Sequence, residues 1–190
     1  MLKNITKLNI VRIGSYIPFS SLKKIADGVL DSFRGIIKET NLSHHDSPVV
    51  ESIDAQLLTM ILDEEYSGPT LGITDADLKT EDDDAFYNSI LGGKNPKNDV
   101  AVVSTHKLKP LSMDSDRDYN LFIDRTLKVS LHEVGHNFGN YHTDRWNDVL
   151  DVMDQGGPRR IIDDVGAGRD GIFGSQDDID RDFGVDIFHT

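Results

Sequence analysis

One short segment combines residue types and spacings that suit metal chemistry. Residues 132–142 read HEVGHNFGNYH, which is the pattern HExxHxxGxxH. His132 and His136 are four residues apart, so on a helix their imidazoles lie on one face, where they can bind one metal ion together. Gly139 can end that helix and let the chain bring back His142 as a third ligand. The pattern therefore predicts a zinc site with three imidazole ligands and one open position.

Glu133 stands directly after the first of these histidines and suits proton transfer. On a helix it lies beside the imidazole pair, near enough to reach metal-bound water but poorly aimed to ligate the metal. Zinc lowers the pKa of bound water to about 7, and a nearby carboxylate can pass the water's proton to a leaving amine. We interpret Glu133 as the general base of zinc-dependent peptide hydrolysis. The alternative is a catalytically silent zinc- or calcium-binding domain that recognises peptides.

The overall composition narrows the class of protein. A chain of 190 residues with 37% hydrophobic content predicts one compact domain, and we expect a monomer. A net charge of −13 would repel phosphate backbones and anionic lipid, so we expect neither nucleic acid nor a membrane as partner. We expect a soluble chain, because it has neither a long apolar run nor a secretion signal at its start; the compartment stays open. With no cysteine, any metal ligand must be His, Asp, Glu or backbone oxygen.

Hydrophobic periodicity predicts the elements that must position the site. The expected fold is α/β (α+β), with a small mixed twisted sheet, packing helices and an active-site helix. Strands are predicted over 7–13, 71–78, 86–91 and 99–104. Helices are predicted from Ser20 or Ser21 to Ile37, over 53–62, and from about Leu121, with Asp118 or Asn120 as N-cap, to the break at Gly139. The polar segment 41–48 is predicted to be a loop.

Four segments resemble the archaemetzincin family of the metzincin clan. Three of them agree in order and spacing over about residues 7–155: LGITDADL at 71–78, VVSTHKL at 102–108 and DRTLKVSLHEVGH at 124–136. The fourth is DVMDQG, in which Met153 resembles the clan's Met-turn beneath the metal. The resemblance implies a single zincin-like metallopeptidase domain over 1–190. Its upper subdomain, about 1–139, would include the active-site helix, and about 140–190 would form an irregular lower subdomain.

The resemblance also implies how substrate binds and how many metal ions are held. In archaemetzincins the segment equivalent to residues 85–93 is the cleft's upper edge strand, so a peptide or protein substrate would pair with Phe86, Tyr87, Asn88, Ser89, Ile90 and Leu91. The family usually places a cysteine after the third histidine and adds three more, which bind a second zinc. Thr143 stands at that position here and the chain has no cysteine, so we expect one zinc per chain.

The C-terminal tail, residues 163–186, is rich in aspartate and glycine. Its carboxylates could supply oxygen ligands for calcium, although their spacing does not fit an EF-hand. The alternative is an acidic solvated segment. The candidate calcium ligands are Asp163, Asp164, Asp170, Asp177, Asp178, Asp180 and Asp182.

Overall fold

The computed structural model describes residues 7–14, 17–47, 50–80, 89–95, 97–110 and 113–139. Three helices lie in these ranges: α1 (Phe19–Ser32), α2 (Ala55–Glu65) and α3 (Asp116–Asn137). The strands are β1 (Lys7–Ile13), β2 (Glu39–His45), β3 (Ser52–Asp54), β4 (Thr70–Thr74), β5 (Asp77–Lys79), β6 (Ser89–Ile90), β7 (Gly92–Lys94) and β8 (Val100–Ser104). None of the helices in the described ranges is long and apolar enough to cross a membrane.

The strands form two sheets. The larger has the order β2-β1-β4-β8-β7, in which the first four strands are parallel and β7 is antiparallel to β8. The smaller has the order β3-β5-β6. Strands β4 and β8 are buried along their whole length, as expected for parallel strands that are covered on both faces. The predicted mixed sheet with packing helices is confirmed.

Alternate residues of the larger sheet face two separate apolar cores. On one face, α1 and α3 pack over a core that includes Ile10, Ile73 and Val103. On the other face, α2 packs over Val11 and Val102. Successive side chains of a strand point to opposite faces of the sheet. Alternate residues of one strand therefore face the helices α1 and α3 on one side and the helix α2 on the other.

Three sequence-based expectations for these elements were wrong. The predicted polar loop over 41–48 contains most of β2, which among the described strands pairs with β1 alone and therefore lacks the apolar alternation of a covered strand. The predicted strand over 71–78 divides into β4 and β5 of different sheets, because the hydroxyl of Thr74 accepts from the N–H of Ala76 and turns the chain. Helix α1 ends at Ser32, ahead of Gly35 in the left-handed region, and not at Ile37.

Gly72 lets helix α2 lie close to the centre of the sheet. A methyl group on Gly72 would lie 2.5 Å from Cδ1 of Leu62 on α2 and 2.9 Å from Cδ1 of Ile13. Both neighbours are buried, so neither can move aside freely.

We expect Gly72→Ala to lower the free energy of unfolding by about 1–3 kcal/mol, because an added methyl overpacks this contact. Urea denaturation measures the change. The loss should be smaller in a Leu62→Val background, where the nearest methyl is removed. Equal losses in the two backgrounds would contradict the close contact between β4 and α2.

Candidate metal centre

Helix α3 carries the predicted site, and its first turn is stabilised by the side chain of Ser115. The Ser115 hydroxyl accepts from the N–H of Asp118 at 3.1 Å and donates to the Asp118 carboxylate at 2.6 Å. Asp116 and Asp118 place negative charge at the positive end of the helix dipole. The helix was predicted to start near Leu121, and it starts a turn earlier because the N-cap is Ser115 rather than Asp118 or Asn120.

The two histidines of the motif meet as the four-residue spacing predicts. Their Nε2 atoms are 3.1 Å apart, and the rings meet edge to face with centroids separated by 4.6 Å. Two imidazole nitrogens bound to one tetrahedral zinc, at about 2.0–2.1 Å each, would be about 3.3 Å apart. The arrangement of His132 and His136 therefore fits a shared zinc ion.

Glu133 is buried against the edge of the larger sheet. Only 5% of the residue is exposed, and its Oε2 has no hydrogen-bond partner among the described residues. Burial raises the pKa of the Glu133 carboxyl to about 8, because a charge is poorly solvated there. A divalent cation held beside it would favour the ionised form and so oppose this shift. The two imidazoles can thus act as ligands of a cation, and the buried carboxylate beside them favours its positive charge.

The helix ends where the sequence predicts a break. The N–H of Phe138 donates to the carbonyls of Gly135 and His136, and the N–H of Gly139 donates to the carbonyl of His136 at 3.0 Å. Gly139 has a φ of 86°, in the left-handed region that favours glycine. The helix therefore ends at Asn137, one residue after the second histidine.

Several predicted site residues lie outside the described ranges. These are His142, Met153, the seven aspartates of the candidate calcium site, and Phe86, Tyr87 and Asn88. Within the part of the chain that is described, no cluster of three His, Asp or Glu residues is placed to hold a metal. The roles of His142 as third ligand, of Met153 and of the calcium aspartates stay predictions.

The predicted substrate strand is only partly described. Ser89 and Ile90 form β6, which pairs with β5 in the smaller sheet, and Leu91 connects β6 to β7. The antiparallel edge of the larger sheet is β7, Gly92–Lys94, which overlaps the end of the predicted edge segment 85–93. Strand β7 also contacts α3, so this edge lies beside the helix that carries the histidines.

Sequence reasoning included Gly92 in the predicted edge segment 85–93 but missed its contact with Glu133. A methyl group on Gly92 would lie 2.6 Å from Oε1 of Glu133. The available signal was the pair Gly92-Gly93 in a segment of strand character, because glycine inside a strand often marks a close approach by another group.

We expect the buried carboxyl to make the metal-free protein less stable as pH rises. A carboxyl whose pKa is raised on folding holds its proton more tightly when folded. Its favourable contribution is therefore complete below the unfolded value of 4.5 and is lost as pH rises toward about 8. In excess chelator, Glu133→Gln should match the unsubstituted protein near pH 4.5 and be more stable near pH 8. Thermal melts of both proteins at the two pH values measure this difference. Equal Tm values of the two proteins at both pH values would contradict the expectation.

Comparisons with known proteins agree with the motif and with the fold. The model of Peptidase family M54 matches residues 41–155. The archaemetzincin of Thermococcus kodakarensis is 38% identical over 73 residues, which is 38% of this chain and 37% of that protein. The archaemetzincin of Pyrococcus furiosus is 36% identical over 72 residues, which is 38% of this chain and 35% of that protein. The chain thus aligns with little more than a third of each of these relatives.

Solved structures share the fold at low sequence identity. The archaemetzincin of Methanopyrus kandleri has a TM-score of 0.63 and 24% identity, with 84% of this chain and 86% of that chain covered. The archaemetzincin of Archaeoglobus fulgidus, complexed with malonate, has a TM-score of 0.60 and 18% identity, with 82% of this chain and 90% of that chain covered. The family model spans more than half of the sequence, and the protein therefore belongs to Peptidase family M54.

Proposed function

We propose that the protein is a zinc-dependent metallopeptidase. The observation that carries the proposal is the pair of imidazole nitrogens 3.1 Å apart on α3, with a buried carboxylate on the residue that follows the first of them. Membership of a peptidase family supports the same reaction class. The substrate is a peptide or protein, and cleavage is either internal or at the amino terminus.

His132, His136 and His142 would hold one zinc ion per chain. The first two stand on one helical face, and the left-handed conformation of Gly139 would allow the chain to bring the third toward them. Zinc, when bound, lowers the pKa of water in its open position and polarises the scissile carbonyl. No cysteine is present to build a second zinc cluster of the kind that archaemetzincins usually contain.

Glu133 would accept the proton of the attacking water and pass it to the leaving amine. Its carboxylate is buried, so water does not screen it from the reacting groups. Its Oε2 accepts no hydrogen bond from the described residues and is therefore available to take a proton. The edge strand β7 next to α3 would align an extended substrate, and the segment from Phe86 to Leu91 just before it would contact the same substrate.

We expect His142→Ala to abolish tight binding of zinc, because two imidazoles rarely hold the ion against water. His106→Ala is the matched control, since His106 is exposed and lies outside the motif. Elemental analysis after dialysis should find one zinc per chain in the unsubstituted protein and in the control. Full zinc content in His142→Ala, or two tightly held zinc ions in the unsubstituted protein, would contradict the proposed site.

We expect Glu133→Gln to keep its zinc but to lose about 10²–10⁴ in kcat, because an amide of similar size cannot accept the proton. Cleavage of a peptide library, together with zinc content, measures both quantities. Glu64→Gln is the control, since that glutamate is exposed on α2. Near-normal cleavage by zinc-loaded Glu133→Gln would remove Glu133 from the mechanism. An unsubstituted protein that binds zinc and peptides without cleaving them would instead be a recognition domain.

A further inference from the structure

Gly92 of the edge strand lies in direct contact with the Glu133 side chain. A methyl group built on Gly92 would lie 2.6 Å from Oε1, 2.7 Å from Cγ and 2.8 Å from Cδ of Glu133. Carbon atoms in folded proteins do not approach other heavy atoms so closely without displacement, because optimal contacts between carbons are about 3.5–4.0 Å. Only a residue without a side chain therefore fits between β7 and this carboxylate.

The strand cannot easily move away from the helix. Gly92 pairs with Val103 and Gly93 with Val102. The ladder continues on both sides of β7, where the N–H of Ser104 donates to the carbonyl of Leu91 at 2.8 Å and the N–H of Asn95 to that of Val100 at 3.1 Å. Displacing β7 would break backbone hydrogen bonds of the sheet, and buried ones are costly to leave unmade.

The helix is held equally firmly on its side of the contact. Leu131 and Val134, the residues that flank the His132-Glu133 pair, are completely buried in the core that α3 and α1 form with the larger sheet. Moving α3 outward would expose both apolar side chains to water, which is unfavourable. With both backbones held, an added side chain at position 92 displaces the Glu133 side chain.

The two glycines of β7 face opposite sides of the sheet. Gly92 stands opposite Val103, which belongs to the core beneath α3, whereas Gly93 stands opposite Val102, which belongs to the core beneath α2. Alternation along a strand thus directs Gly92 toward Glu133 and Gly93 away from it. Gly93 is therefore a matched control for the same substitution in the same strand.

We propose that Gly92 is a positioning residue, which seats the Glu133 carboxylate against the substrate-binding edge because it presents no side chain to α3. Strand β7 then forms the edge of the sheet and also determines where the Glu133 carboxylate lies. The effect on turnover rests on the proposed peptidase function. The packing of Gly92 against Glu133 does not, and it is tested separately.

The first test measures thermal stability of the metal-free protein in a double-mutant cycle. Gly92→Ala is expected to lower the Tm by roughly 4–10 °C. In a Glu133→Ala background, the same substitution should lower the Tm by less than half as much, because its contact partner has been removed. Gly93→Ala should change the Tm equally in the two backgrounds.

Each outcome of this cycle decides the packing claim. Equal losses for Gly92→Ala in both backgrounds would overturn it. If Gly92→Ala does not fold, folding of the double variant Gly92→Ala/Glu133→Ala supports the contact, and failure of both variants contradicts it.

The second test measures peptide cleavage by the zinc-loaded protein. Gly92→Ala should lower kcat at least about tenfold with little change in KM or zinc content, because the base is displaced while the metal is kept. Glu133→Asp withdraws the carboxylate by one methylene, so Gly92→Ala should cost less in that background than in the unsubstituted protein. A rise in KM with unchanged kcat would place Gly92 in substrate binding alone and overturn the proposal. An inactive unsubstituted protein would refute the peptidase function, and the Tm cycle would still decide the contact.

Discussion

The packing of α3 against α1 and against the larger sheet is the constraint on which the site depends. The completely buried Leu131 and Val134 set the rotation of the helix about its axis. That rotation brings Glu133 under the edge strand, and the four-residue spacing brings His132 and His136 to a common point. The positions of the two imidazoles and of the carboxylate are therefore determined by the burial of apolar side chains on the same helix.

Burial of a carboxylate is unfavourable for the fold and useful for the proposed chemistry. Glu133 lacks a hydrogen-bond partner for Oε2 among the described residues, and its pKa is raised because its charge is desolvated. Evolved sites often keep such groups where a function requires them. A cation between the imidazoles would stabilise the ionised form, so metal binding and the protonation of this residue are coupled.

Much of this arrangement could be predicted from sequence, because it depends on local spacing. The helix with His132 and His136 on one face and the break at Gly139 follow from helix geometry and from the conformational freedom of glycine. The mixed fold followed from hydrophobic periodicity together with the resemblance to archaemetzincins. The contact between Gly92 and Glu133 could not be derived in this way, since it joins distant segments through the register of β7 on β8. Strand β2 was missed for a related reason, because pairing with β1 forms it and its own residues show no strand pattern.

In the proposed site, three imidazoles from one short segment share a zinc ion next to a buried carboxylate that does not ligate it. X-ray absorption spectroscopy at the zinc edge, on protein loaded with one equivalent of zinc, tests this most directly. We expect three imidazole nitrogens at about 2.0–2.1 Å, together with oxygen ligands from solvent, and a spectrum that Glu133→Gln leaves unchanged. Fewer than three imidazoles in the zinc shell, or a shell that changes when Glu133 is replaced, would contradict the proposed site.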